Sequence, residues 1–292
     1  SPMGAFLLFH QVGVLKLVCS ICQDQFVRYV ASRLVNCFSW YELTKMFVSM
    51  EFEVTCNTAL WKNLLTALAS VLSDVTFKCT QQGISFQSMD TMRTMMIFAQ
   101  LPKDSFGSYS KFDDCHIGVN LQAMLNILSC AEKKPTFVMK KQGDSLSFKF
   151  GGGNESFAFC LNLNEADVNR IAPPERDEDC VVKMDQALQH KVASLLKLKA
   201  STVKLQANCP YFAMRAETEQ GNASFEGYAT YIESTNEVNQ SFSLAKLSHV
   251  LEPLKFCDTV EISLKNGDPL IAAYELHNNG GKLVYFLAPK VD

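Results

Sequence analysis

The sequence predicts an α+β protein of two similar domains, each an antiparallel sheet carrying two helices on one face. Three observations predict it. Hairpin signals come in runs instead of alternating strictly with helices, which disfavours a parallel α/β sheet. Two rounds of one element order follow each other, and corresponding features lie about 125 residues apart. Val119-Asn-Leu-Gln-Ala-Met124, for example, matches Phe242-Ser-Leu-Ala-Lys-Leu247 in pattern and place.

The elements of the first round begin at Met50. Phe52, Val54 and Cys56 alternate with Glu51, Glu53 and Thr55, the period of a half-buried strand. A helical stretch from Ala59 to Leu72 leads into a strand at Val75–Lys78, a turn at Gln81-Gln-Gly83, and strands at Ile84–Gln87 and Thr94–Leu101. A second helix is predicted from Leu121 to Ala131. Hairpin strands then follow at Thr136–Lys140, Leu146–Phe150 and Phe157–Leu163, with turns at Gln142-Gly-Asp144 and Gly151-Gly-Gly-Asn154. Such glycine pairings mark hairpins because the favoured turns need positive φ.

An acidic, proline-bearing stretch from Asn164 to Asp179 separates the rounds. The order then recurs: a strand at Val181–Met184, a helix at Leu188–Leu198, and strands at Thr202–Ala207, Phe212–Glu217 and Ala223–Tyr228. A helix at Leu244–Leu254 and strands at Val260–Leu264, Leu270–Leu276 and Leu283–Leu287 complete it. The domains are therefore expected at 50–163 and 180–292, joined by a connecting loop at 164–179. Residues 1–49 form an amino-terminal extension of unassigned role. In it Ser1-Pro2 before Met3 resembles a tag scar, and Phe26, Val30, Leu34 and Phe38 fall at helical spacing.

Composition narrows the function classes. Hydrophobic residues make up 48% of the 292 and charged residues 20%, enough apolar mass for a packed core. The 11 cysteines show no framework spacing, which suits reduced thiols in a soluble intracellular protein. No apolar run reaches the roughly 20 residues of a membrane span. A net charge of −3 speaks against a general nucleic-acid binder, unless the charge is unevenly spread.

It is unevenly spread. The four helix segments and their ends carry Lys62, Lys133, Lys134, Lys191, Lys197, Lys199, Lys246 and Lys255, against only Glu132 and Glu252. Lysines favour exposed helix faces in any protein. A bias shared by all four helices points further, to a surface that attracts phosphates without reading sequence.

No enzymatic constellation stands out. Cys19-x-x-Cys22 has no partner pair, Asp113-Asp-Cys-His116 reads as a surface turn, and Gly151-Gly-Gly lacks the Lys-Ser/Thr of a phosphate loop. The expectation is no catalysis, no metal and no cofactor.

Five short segments carry a resemblance. Phe86-Gln-Ser-Met-Asp90, Gly118-Val-Asn-Leu121, Cys180-Val-Val-Lys-Met184, Asp268-Pro-Leu270 and Leu283-Val-Tyr-Phe-Leu-Ala-Pro-Lys-Val291 resemble signatures of the proliferating cell nuclear antigen (PCNA) family of DNA sliding clamps, in order and near-register across residues 50–292. The resemblance implies two clamp domains per subunit and a closed ring of three. Sheets would lie outside and the four helices would line a central hole around double-stranded DNA. It implies a processivity factor that tethers DNA polymerase and other replication or repair proteins, is loaded by a clamp loader, and works in the nucleus or at a viral replication site. The divergence and the amino-terminal extension fit a large DNA virus as source.

It also implies sites. The eight lysines above would face DNA. Partner peptides of the form Q-x-x-aliphatic-x-x-aromatic-aromatic would enter a pocket of Met89, Arg93, Thr94 and Met96, with Ile171, Ala172 and Pro173 from the linker, and Pro269, Phe286, Ala288, Pro289, Lys290 and Val291. Arg93, Thr94 and Pro173 depart from the family's usual choices and imply an altered peptide preference. Methionines suit such a pocket because they adapt to varied apolar plugs, although they also fill ordinary cores. Subunits would join head to tail through edge strands, with Phe157, Phe159 and Leu161 meeting Ala223 and Phe225 of the neighbour. Asn208 stands where many eukaryotic members carry the lysine that receives ubiquitin-like modifiers. Two other readings remain: a checkpoint-type clamp subunit of a heterotrimer, and a monomeric clamp-folded processivity or transcription factor.

Overall fold

The computed structural model describes residues 52–111, 114–130, 134–151, 156–168, 178–196, 200–218, 221–229, 231–252, 254–277 and 280–290. The amphipathic segment in 1–49 lies outside these residues, as do Lys133, Lys197, Lys199, Ile171, Ala172, Pro173 and Val291.

One element order occurs twice. The first set is β1 (Phe52–Asn57), α1 (Thr58–Ala69), β2 (Asp74–Thr80), β3 (Gly83–Met89), β4 (Met95–Pro102), β5 (Ser108–Lys111), β6 (Cys115–Asn120), α2 (Leu121–Cys130), β7 (Thr136–Gln142), β8 (Ser145–Gly151) and β9 (Ser156–Asn162). The second is β10 (Cys180–Asp185), α3 (Gln186–Leu196), β11 (Thr202–Asn208), β12 (Tyr211–Thr218), β13 (Gly221–Tyr228), β14 (Tyr231–Ser234), β15 (Val238–Ser243), α4 (Leu244–Val250), β16 (Thr259–Leu264), β17 (Leu270–Leu276) and β18 (Gly281–Leu287).

Sheet topology repeats as well. The first set forms a five-stranded sheet β5-β1-β7-β8-β9, and the second repeats that order as β14-β10-β16-β17-β18. The remaining strands of each set run β4-β3-β2-β6 and β13-β12-β11-β15. Antiparallel pairing of β18 with β4, from Lys282↔Gln100 to Leu287↔Met95, fuses the halves into one nine-stranded sheet. The inward side chains of the two seam strands, Met95, Ile97 and Ala99 on β4 and Leu283, Tyr285 and Leu287 on β18, share one core with the buried faces of all four helices. Both helix pairs therefore cover the same side of that sheet.

Local chemistry explains the elements. Asn57 caps α1 by accepting from the Leu60 amide at 3.0 Å, an interaction worth about 1 kcal/mol. Trp61 packs edge-on against Phe77 at 5.5 Å and Phe137 at 6.5 Å, pinning α1 to strands of both sheets of its half. Gly143 and Gly267 close the β7–β8 and β16–β17 hairpins at φ 55° and 84°. Asp185 accepts from the Leu188 amide at 2.8 Å, so α3 starts two residues before the expected Leu188. Helix α4 ends at Val250 and not at Leu254, since Pro253 disfavours helical backbone at Glu252.

Four strands went unforeseen: β5, β6, β14 and β15. Of these, β6 anchors the start of the segment that joins the two sets of elements. Asn164 donates its amide to the Gly118 carbonyl at 2.8 Å and its side-chain amide to Asp74 at 2.7 Å. A Cβ at Gly118 would sit 2.6 Å from the Asn164 oxygen, so the glycine in the Gly118-Val-Asn motif is required by the linker crossing it.

Candidate functional site

Three surfaces take shape, one on the helices, one at the sheet edges and one on the outer face of the seam.

The solvent faces of the helices are neutral and sparsely cationic. None of the four contains an aspartate or glutamate, although the chain has 30 such residues. Their exposed or half-exposed polar positions include Asn63 and Thr66 on α1, Gln122, Asn126 and Ser129 on α2, His190 and Ser194 on α3, and Ser248 and His249 on α4. Lys62 and Lys191 lie on these faces, while Lys134 and Lys255 follow α2 and α4 in loops. The basic character thus comes as much from excluded carboxylates as from lysines. Lys246 differs: its ammonium lies 2.6 Å from the Asp90 carboxylate and also meets the Thr94 hydroxyl.

Two sheet edges break the internal symmetry. Strand β9 is the counterpart of β18, and β13 the counterpart of β4. Yet β18 and β4 pair with each other, whereas β9 bonds only β8 and β13 only β12 among the described strands. Burial follows pairing. Every residue from Leu283 to Leu287 of β18 is buried, while along β9 only Phe159 and Leu161 are even partly covered, and Phe157 is 43% exposed. Phe225 and Ala223 are likewise half-buried.

Outside the main core, Met96, Val284 and Phe286 form a second, small apolar cluster, with Met89, Phe98, Ile271 and Ala273 packed against it. These side chains occupy the outer face of the β3-β4-β18-β17 seam, where Met96 pairs with Phe286 and Phe98 with Val284. A solvated antiparallel sheet normally alternates apolar with polar residues, so an apolar outer face needs cover. Of the expected pocket, the structure joins Met89, Met96 and Phe286. Met95 belongs to the main core and Met92 stands 73% exposed in the turn beside the patch.

Sequence reasoning missed Phe98, Ile271, Ala273 and Val284. The signal was present in the unbroken apolar runs Met95–Ala99, Leu270–Tyr274 and Leu283–Leu287, which mark strands covered on both faces.

The rim of this patch is tied by hydrogen bonds. Asp90 accepts from the amides of Thr94 at 2.7 Å and Met95 at 2.8 Å, and the Thr94 carbonyl accepts from the Ala288 amide at 2.8 Å. Within the turn Arg93 adopts φ 56°, a conformation uncommon for a non-glycine residue. Burial pushes the Asp90 pKa up, but the hydrogen bonds from Lys246, Met95 and Thr94 outweigh it and hold the carboxyl below its ordinary value. Beyond the rim, Pro289 and Lys290 line a cleft of about 390 Å³ with Lys204, Gln240 and Gly267. Pro269 opens β17 at the neighbouring hairpin.

Among the described residues no group of three or more His, Cys, Asp or Glu could hold a metal ion, and no helix is long and apolar enough to cross a membrane.

Comparisons with known proteins agree with one another. The family model for "Proliferating cell nuclear antigen, N-terminal domain" matches residues 50–170. A "Probable DNA polymerase sliding clamp" of Autographa californica nuclear polyhedrosis virus is 26% identical over 248 residues, spanning 82% of this chain and 96% of the viral protein. The crystal structure of proliferating cellular nuclear antigen from Entamoeba histolytica superimposes with a TM-score of 0.77. It covers 83% of this chain and 100% of its own at 21% identity, a likeness of fold.

Proposed function

We infer that this chain, a divergent member of the proliferating cell nuclear antigen family, is a homotrimeric DNA sliding clamp that holds a polymerase to double-stranded DNA and performs no chemistry itself. One observation carries the reading: among the described residues the edges β9 and β13 have no second strand partner, where their counterparts β18 and β4 pair. Such an edge is a template for another chain, and joining the β9 of one copy to the β13 of the next repeats the internal seam. This is a heterologous contact, which closes into a ring when its rotation divides a full turn. Three copies would supply six similar domains. Their helix faces, free of carboxylates, would then line the hole.

Lys62, Lys134, Lys191 and Lys255 supply diffuse attraction to phosphates in this reading, with Lys133, Lys197 and Lys199 as further candidates. Weak and widely spaced contacts suit sliding, because no single one fixes the register on DNA. Retention comes from topology: escape requires the ring to open. A tethered polymerase rebinds its primer end at an effective concentration on the order of millimolar. The outer patch around Met96, Phe98, Val284 and Phe286 is the proposed docking place for peptides of the partner proteins. It has the adaptable methionines and buried aromatics that concentrate binding energy in a small area. The site of action is the nucleus or a viral replication compartment, with loading by a dedicated clamp loader.

Light scattering on the purified chain tests the assembly. The expected mass is three times the 32.6 kDa of one chain. A monomer that binds DNA only at low salt would favour the rival charge-only factor. A chain that assembles only with unlike subunits would favour the checkpoint-type reading.

A further inference from the structure

Lys246 sits on α4, the helix whose other solvent-facing groups are Ala245, Ser248 and His249, yet its ammonium points to the opposite half of the chain. It meets Asp90 and Thr94, which stand 156 and 152 residues earlier, in the turn between β3 and β4. The pair is well shielded: the Lys246 side chain is 20% exposed and that of Asp90 9%. Asp90 also receives the Thr94 hydroxyl at 3.2 Å, besides the two backbone amides. The turn in turn holds the tail, because the Thr94 carbonyl accepts the Ala288 amide. Met89 precedes this turn and Met95-Met96 follow it, so a chain of bonds runs from α4 to the rim of the outer apolar patch.

We propose that Lys246 is a positioning residue for the outer docking surface and not a DNA contact. Its ammonium straps the second domain to the Asp90–Thr94 turn of the first. That fixes the strained Arg93 backbone and the spacing between Thr94 and Ala288. Swinging Lys246 out to a phosphate would leave a nearly buried carboxylate without its cation, a costly state. The patch would thereby keep one shape before any partner arrives, and preorganisation of this kind raises affinity by lowering the ordering cost on binding. The docking role itself rests on the function proposed above; the strap does not.

The test compares the full chain with its Lys246→Met and Lys246→Arg variants. Three quantities are read: amide exchange across residues 88–97, anisotropy of a labelled peptide carrying Gln-x-x-Leu-x-x-Phe-Phe, and the salt dependence of binding to duplex DNA. Lys246→Met is expected to speed exchange at Thr94 and Met95 and to weaken the peptide about tenfold. The DNA salt slope should stay unchanged, and Lys246→Arg should restore most of the loss. Unchanged exchange with a shallower DNA slope would overturn the proposal and return Lys246 to the DNA face. A peptide that fails to bind even the unaltered chain would sink the docking reading alone, with the exchange data still deciding the strap.

Discussion

Replacing Phe157 by aspartate is expected to turn the proposed trimer into a folded monomer. The internal seam supplies the register. The hairpins align Leu146 with Leu270 and Ile84 with Phe212, since each follows the corresponding turn and faces the core. Strand pairing then places Phe157 at the position of Leu283, Phe159 at that of Tyr285, Ala223 at that of Ile97 and Phe225 at that of Ala99. Leu283 pairs with Ala99 and Tyr285 with Ile97 across the seam. Carried to two copies, Phe157 stands opposite Phe225 of the neighbour, and Phe159 opposite its Ala223. A carboxylate at 157 would be buried against an aromatic ring with no cation, a penalty of several kcal/mol at each of three joints. The isolated chain leaves Phe157 43% exposed, so its own fold should lose only about 1–2 kcal/mol. Light scattering should read one chain with the circular dichroism unaltered; a variant that stays trimeric would contradict the register.

Reversing charge on the helix faces should have the second largest effect. Lys62→Glu with Lys191→Glu puts carboxylates on helices that contain none, on every subunit. Binding to duplex DNA at about 0.1 M salt should weaken tenfold or more, and the logarithmic salt slope should become shallower, because each phosphate neutralised contributes roughly 0.9 to that slope. The proposed trimer should persist, as neither position lies on β9 or β13. An unchanged salt dependence would mean that DNA is held elsewhere.

The sequence made the duplication legible because period-2 and period-3.6 patterns survive wherever one face is buried. Strands β1, β7 and β8 show it plainly, with Phe52, Val54 and Cys56 or Leu146, Phe148 and Phe150 directed inward. Strand β15 was opaque because Gln240 occupies an inward position between Val238 and Phe242, and β6 because Gly118 breaks its apolar run. Of the outer apolar patch, Met89, Met96 and Phe286 were legible in the sequence, but Phe98, Val284, Ile271 and Ala273 needed the strand pairing that brings β17 and β18 beside β4. Lysine counting groups Lys246 with the cations of the helix faces, whereas its ammonium is paired with Asp90. A pair formed across 156 residues leaves no local signature, and composition cannot separate a cation facing solvent from one satisfied by a distant carboxylate.

Encirclement is the central claim, and retention on DNA of different topology tests it most directly. The protein, loaded by a clamp loader onto nicked circular duplex and washed at moderate salt, should remain bound for many minutes. Linearising the same circle should release it rapidly as rings slide off the ends. Equal and rapid loss from both forms would contradict a closed ring and leave a protein that holds DNA by charge alone.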